Sequence, residues 1–166
     1  GENSFNLYTC QRNASAATDE ERARLAPGGV MHVGELINRM RPGSLVMRPP
    51  EQLTPRATIL FGCVSGAIGV IASLSNDEFS FFWQLQEHMA GGDQPVVRGV
   101  GGLMHQEWRA FANERRTKPM RHFVDGDLIE SFVELSGDRQ AEIARRMSMQ
   151  VEDIVRRIEA LALQLH

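Results

Sequence analysis

Residues 58–73 read TILFGCVSGAIGVIAS. Two apolar segments, TILFGCV and AIGVIAS, flank Ser65-Gly66, a two-residue turn of the kind a tight β-hairpin needs. Nearly every residue is apolar, so the pattern predicts strands buried on both faces. Upstream, the period of two continues. SFNLYTC (4–10) alternates through Phe5, Leu7 and Thr9, and HVGELINRM (32–40) through Val33, Glu35 and Ile37, with Leu36 breaking the pattern. GSLVM (43–47) reads as a short strand. Between the first two strands lies RNASAATDEERARLAPGG (12–29), polar and closed by Pro-Gly-Gly, which predicts a surface excursion with one helical turn at 19–25. RPPEQLTPR (48–56) carries three prolines, which exclude it from a sheet interior.

From Ser75 the period becomes helical. Ser75-Asn76-Asp77-Glu78 has the form of a capping box, followed by Phe79, Phe82, Trp83 and Met89. GGDQPVVRGVGG (91–102) breaks that helix. A shorter helix is predicted over 105–114, with Trp108 and Phe111 inward, and another over 138–147. Val151, Ile154, Val155, Ile158, Leu161, Ala162 and Leu165 trace an apolar stripe at spacings of three and four, with Ser148 as the expected cap. The chain therefore reads as α+β: antiparallel strands over 1–74 and a helical region over 75–166. The strands are too few to close a barrel or a two-layer sandwich, so the sheet is expected to meet neighbours beyond these residues.

Composition excludes several function classes. The 166 residues are 42% hydrophobic and 23% charged, with a formal charge of −3, so nothing global attracts phosphate or an anionic membrane. The two cysteines, Cys10 and Cys63, form no disulfide framework and favour a reducing compartment. The sequence predicts neither a membrane span nor a signal peptide. Asn13-Ala14-Ser15 matches a glycosylation sequon that is idle in such a compartment.

Candidate chemistry centres on FVDGDLIESFVEL (123–135). Asp125, Asp127 and Glu130 suggest a cation site, but a calcium loop starting at Asp125 would place Ile129 and Ser136 where ligands belong. A magnesium site needs only one or two carboxylates, yet no phosphate-binding glycine loop accompanies them. A helix start explains more: Asp127 as N-cap and Glu130 reaching back to it. RAFANERRTKPMRH (109–122) sets Arg109, Arg115, Arg116, Lys118 and Arg121 against Glu114. Its aromatic spacing suits core burial, so an intramolecular charge partner is expected rather than nucleic acid. The five histidines show no zinc spacing. His32, opening a strand, reads as structural, and Cys63 as a buried, inert thiol. The chain offers no nucleophile–base–orienter set, and no cofactor is expected.

Taken together, SAATDEER (15–22), HVGELIN (32–38), GSLVM, LFGCVSGAIGVIASLS (60–75), EWRAFANERRTKP (107–119) and FVDGDLIESF (123–132) resemble the C-terminal end of the damaged-DNA-binding protein 1 family. Two paralogous families, the large cleavage-and-polyadenylation subunit and a splicing-factor 3b subunit, share the HVG, GxIG and DGDL elements. SAATDEER, GSLVM and IESF tilt the match toward the first.

The resemblance implies the last strands of a third β-propeller followed by a helical C-terminal domain. It implies a non-enzymatic adaptor of the fourth-cullin ubiquitin ligase, in nucleus and cytoplasm, acting in DNA damage response and repair. Its partners would be the ligase's substrate receptors and the remaining propellers, with DNA reached only through a receptor and no membrane contact. It places partner-binding residues at Leu36, Asn38 and Val64. The family usually carries an aromatic at the position of Leu36, whereas Asn38 and Val64 match directly. The alternatives are an RNA-processing scaffold and a metal-dependent site at Asp125, Asp127 and Glu130.

Overall fold

The computed structural model describes residues 4–13, 15–46, 56–90, 109 and 120–166. The helix expected over 105–114, with Trp108 and Phe111, lies outside the described residues except for Arg109, as do 91–102, Met47 and most of 48–56. The chain is α+β, as its two periods imply.

Two small antiparallel sheets form first. Strand β1 (Asn6–Arg12) pairs with β2 (Leu25–His32), and β3 (Ile37–Pro42), β4 (Thr58–Cys63) and β5 (Ile68–Ala72) pair in that order. A short helix, α1 (Asp19–Arg22), lies between β1 and β2, capped by Thr18, whose hydroxyl accepts from the Glu21 N–H.

The expected strand over 32–40 is split. Gly34 takes a φ of +83°, a left-handed conformation that interrupts a strand, so His32 closes β2 instead of opening a strand. Pro27-Gly28-Gly29 also departs from expectation: it lies inside β2, with Pro27 opposite Cys10 beside a register shift between Tyr8 and Cys10. Pairing overrides the local turn signal because the glycines allow close approach. The Gly29 N–H donates to the Thr9 hydroxyl (2.6 Å), and a Cβ at Gly29 would meet the Arg121 carbonyl and the Phe123 ring. Val30 and Arg121 exchange backbone hydrogen bonds of 2.8 Å each, laying the start of the 120–125 segment along β2. Strand β3 ends at Pro42, so GSLVM contributes no strand among its described residues.

The helices follow: α2 (Asn76–Ala90), α3 (Gly126–Glu130) continued by a 3₁₀ turn (Ser131–Glu134), α4 (Gly137–Arg146) and α5 (Val151–Leu165). The capping box forms as expected: the Ser75 N–H donates to Glu78 Oε2 (2.8 Å) and the Glu78 N–H to Ser75 Oγ (3.3 Å). The core gathers Phe82, Leu85, Met89, Ile129, Phe132, Ile143 and Ile154, all nearly inaccessible to solvent. Helix α2 turns Phe81, Phe82, Leu85 and Met89 inward. Phe79 and Trp83 are only half-buried and tilt against each other, 5.7 Å between ring centroids.

Ser148 does not cap α5. It takes a φ of +55° and ends α4, with its N–H donating to the Arg145 carbonyl and the Met149 N–H to that of Ala144, the Schellman pattern. Gln150 is the N-cap of α5. Sheet and helices are tied by Arg56, whose guanidinium donates to Glu78 (2.5 Å), to the Gln164 side chain (2.9 Å) and to the Ser73 carbonyl.

Candidate functional site

The segments around Leu36, Asn38 and Val64 come together at one end of the β3–β4–β5 sheet. The turn after β4 is longer than the expected two residues. The Gly66 N–H donates to the Cys63 carbonyl (3.0 Å) and the Cys63 N–H to that of Ala67 (2.8 Å), so the loop spans Val64–Ala67, with Gly66 at a φ of +97°. Val64 stands at the crest of this loop, 65% exposed. Its N–H donates to the Leu36 carbonyl (3.0 Å), which joins the β2–β3 loop to the β4–β5 turn. Ser65 and Glu35 hydrogen-bond across the same junction.

Asn38 is the extra residue of a β-bulge. Ile37 pairs with Cys63 and Arg39 with Gly62, so Asn38 falls between consecutive partners and is exposed. Bulges re-aim side chains at sheet rims, and this one sits at the residue the resemblance singles out.

Sequence reasoning missed Ile68. It follows the turn directly, pairs opposite Gly62, and is 72% exposed. The expectation of strands buried on both faces does not hold within these residues, since Ile59 is also 41% exposed. The available signal was an isoleucine placed immediately after Gly66-Ala67, at the first residue of a strand. Leu36, Val64 and Ile68 thus supply apolar surface at one rim, edged by the polar groups of Glu35, Ser65 and Asn38. Such a surface suits burial against another protein, with a few anchors carrying most of the energy.

Cys63, beneath this rim, is buried, and burial followed by the charge of Glu35 pushes its thiol above the usual value. It is therefore held as the neutral thiol, a poor nucleophile. His32 is also buried, with Nδ1 2.8 Å from Asn6 Oδ1, the arrangement of a structural histidine.

The acidic trio does not converge. Helix α3 starts at Gly126 with Asp125 in the N-cap position, so Asp127 lies in the first turn and is not the cap. The Asp125 side chain caps nothing either, because it is turned to Arg109, which donates through Nε (2.6 Å) and Nη2 (2.7 Å). Nη2 also reaches Asp127 (2.5 Å). Glu130 does not reach back to the helix start: its carboxylate lies 3.2 Å from His166 at the far end of α5. Among the described residues, no group of three or more histidine, cysteine or carboxylate side chains is arranged to hold a metal ion.

Burial works against the Arg109 charge, but Asp125 and Asp127 outweigh it and raise its pKa. The intramolecular charge partner expected for the 109–122 stretch is realised at Arg109. The rest of that stretch up to Pro119 lies outside the described residues, and Arg121 donates to the Gly28 carbonyl (2.9 Å).

Comparison with known proteins places these features in context. The family model described as CPSF A subunit region matches residues 1–134. DNA damage-binding protein 1 of Solanum lycopersicum is 49% identical over 166 residues, which is 99% of this chain and 15% of the relative. DNA damage-binding protein 1a of Arabidopsis thaliana is 48% identical over the same share, and DNA damage-binding protein 1 of Oryza sativa subsp. japonica 44%. The chain thus spans about a seventh of the length of the relatives it matches.

Proposed function

The chain belongs to the CPSF A subunit region family, and from that premise we propose that it is the docking end of a non-enzymatic scaffold in the DNA damage response. Residues 1–74 are the terminal strands of a β-propeller and residues 75–166 its helical C-terminal domain. The work of the segment is to hold substrate receptors on a cullin-type ubiquitin ligase, in the nucleus and the cytoplasm. DNA is reached through a bound receptor. Relatives named DNA damage-binding protein 1 and 1a support this pathway. The observation that carries the reading is the rim built by Leu36, Asn38, Val64 and Ile68: three apolar side chains and one amide held out to solvent by a turn, a bulge and a loop tied by the Val64–Leu36 hydrogen bond. An amphipathic helix or loop of a receptor would bury these residues as anchors.

The test is a graft of these 166 residues into the matching segment of the tomato relative, with affinity for a purified ultraviolet-damage receptor subunit measured by calorimetry. Val64→Glu should weaken binding by about 30-fold or more, the effect of one hot-spot anchor. Equal affinity of the two grafts would defeat the reading. The family description also supports an RNA-processing scaffold. Recovery of polyadenylation or splicing subunits by the graft, with no ligase receptor bound, would favour that alternative.

A further inference from the structure

One residue links the helical core to the docking rim. Gly34 sits against the backbone of Arg109: a Cβ built on Gly34 would collide with the Arg109 carbonyl oxygen, and the φ of +83° already favours glycine there. The side chain of Arg109 reaches the carboxylates at the start of α3. It is 14% exposed and donates to both oxygens of Asp125 and to one of Asp127. Asp125 is fixed in turn. It is 2% exposed, and its N–H donates to Gln86 Oε1 (2.7 Å), itself buried on α2. A continuous series of contacts therefore runs from Gln86 through Asp125 and Arg109 to Gly34, two residues before Leu36, whose carbonyl holds the Val64 turn.

We propose that Arg109 is a positioning residue for the docking rim: its two-carboxylate clamp fixes its own backbone, and that backbone sets where the Leu36 loop stands relative to the Val64 turn. The proposal rests on the docking reading for its function, although its geometry does not. The guanidinium is suited to the role because its planar fork holds a carboxylate at two points, whereas an ammonium holds it at one. The relay also means that a change at the start of α3 reaches a surface on the other side of Gly34 without altering any residue of that surface.

Two variants, each carried in the grafted scaffold, test this. Arg109→Lys keeps the charge and loses the fork. Asp127→Ala removes the outer arm of the clamp at a side chain that is 75% exposed, where the fold tolerates change. Amide hydrogen exchange is read at Val64, whose N–H reports the link to Leu36, and at Ile158 in the core of α5. The expected result in Arg109→Lys is exchange about tenfold faster at Val64 with Ile158 unchanged, a local opening rather than a global one. Asp127→Ala should move Val64 in the same direction by less. Unchanged Val64 exchange in both variants overturns the proposal. So does equal acceleration at Val64 and Ile158, which would make Arg109 a general support of the fold. In the graft, Arg109→Lys should also lower receptor affinity, with the rim residues intact. If Val64→Glu leaves receptor affinity unchanged while Arg109→Lys frees the Val64 amide, the docking reading fails and the positioning role stands.

Discussion

Replacing Phe132 by alanine should cost far more than replacing Trp83, although tryptophan is the larger side chain. Phe132 is 0% exposed, in the 3₁₀ turn between α3 and α4, among Leu85, Ile129, Ile143 and Ile154. Its backbone is held as well, since the Gln140 amide donates to its carbonyl (3.0 Å). The surroundings are thus poorly able to collapse into the space, and truncation should cost about 3–5 kcal/mol. For a chain of this size each kcal/mol moves the Tm by about 2–4 °C, so the drop should be about 6–20 °C. Trp83 is half-buried and its ring leans on Phe79 at 31°. Its loss forfeits that aromatic pair and part of its apolar area, about 1–2 kcal/mol in all. Differential scanning calorimetry of the two variants at neutral pH measures both. A Tm drop for Trp83→Ala equal to or larger than that for Phe132→Ala would refute the placement of the core.

Other consequences are as direct. The Arg56 guanidinium, with help from Ser75, holds the Glu78 carboxyl down from 4.5 to about 2. A depressed carboxyl stabilises the fold fully above its unfolded value and loses that contribution as pH falls toward 2. The Tm difference between wild type and Glu78→Gln should therefore be constant above about pH 5 and shrink to nothing near pH 2. A difference that grows on acidification would contradict the pairing. Because Glu78 is a third exposed, the difference should be modest and salt-sensitive. Ser75→Ala removes the cap of α2 and should cost about 1 kcal/mol in urea denaturation, with an unchanged m-value; no shift in midpoint would count against the capping box. Gly34→Ala forces a side chain against the Arg109 carbonyl at a positive φ, so it should lower the Tm by several degrees. Wild-type stability there would mean that the approach of Gly34 to Arg109 is not real.

The hairpin of β4 and β5, the capping box at Ser75 and the stripe of α5 were legible because each is written in local spacing. Other features were not, for reasons that lie outside local pattern. Pro27-Gly28-Gly29 spells a turn, yet pairing with β1 draws it into a strand, since only glycine lets Thr9 and the Arg121 backbone come so close. Ser148 spells a helix start, yet its left-handed φ makes it the end of the helix before. Asp127 spells an N-cap, yet the helix begins earlier because Arg109 holds Asp125 and Asp127 together from sixteen and eighteen residues away in sequence. At the rim, the segments bearing Leu36, Asn38 and Val64 were placed by family likeness alone. The bulge that exposes Asn38 depends on the register between β3 and β4. Ile68 was hidden because an apolar strand read without its neighbours looks buried everywhere.

The proposed docking reading holds that the rim of Leu36, Asn38, Val64 and Ile68 meets the receptor. Hydrogen exchange of the grafted scaffold with and without bound receptor measures it directly. The account predicts slowed exchange confined to residues 34–38 and 63–68, with the amides of α4 and α5 unaffected. Protection centred on α5, or none at the rim while the receptor is bound, would contradict it.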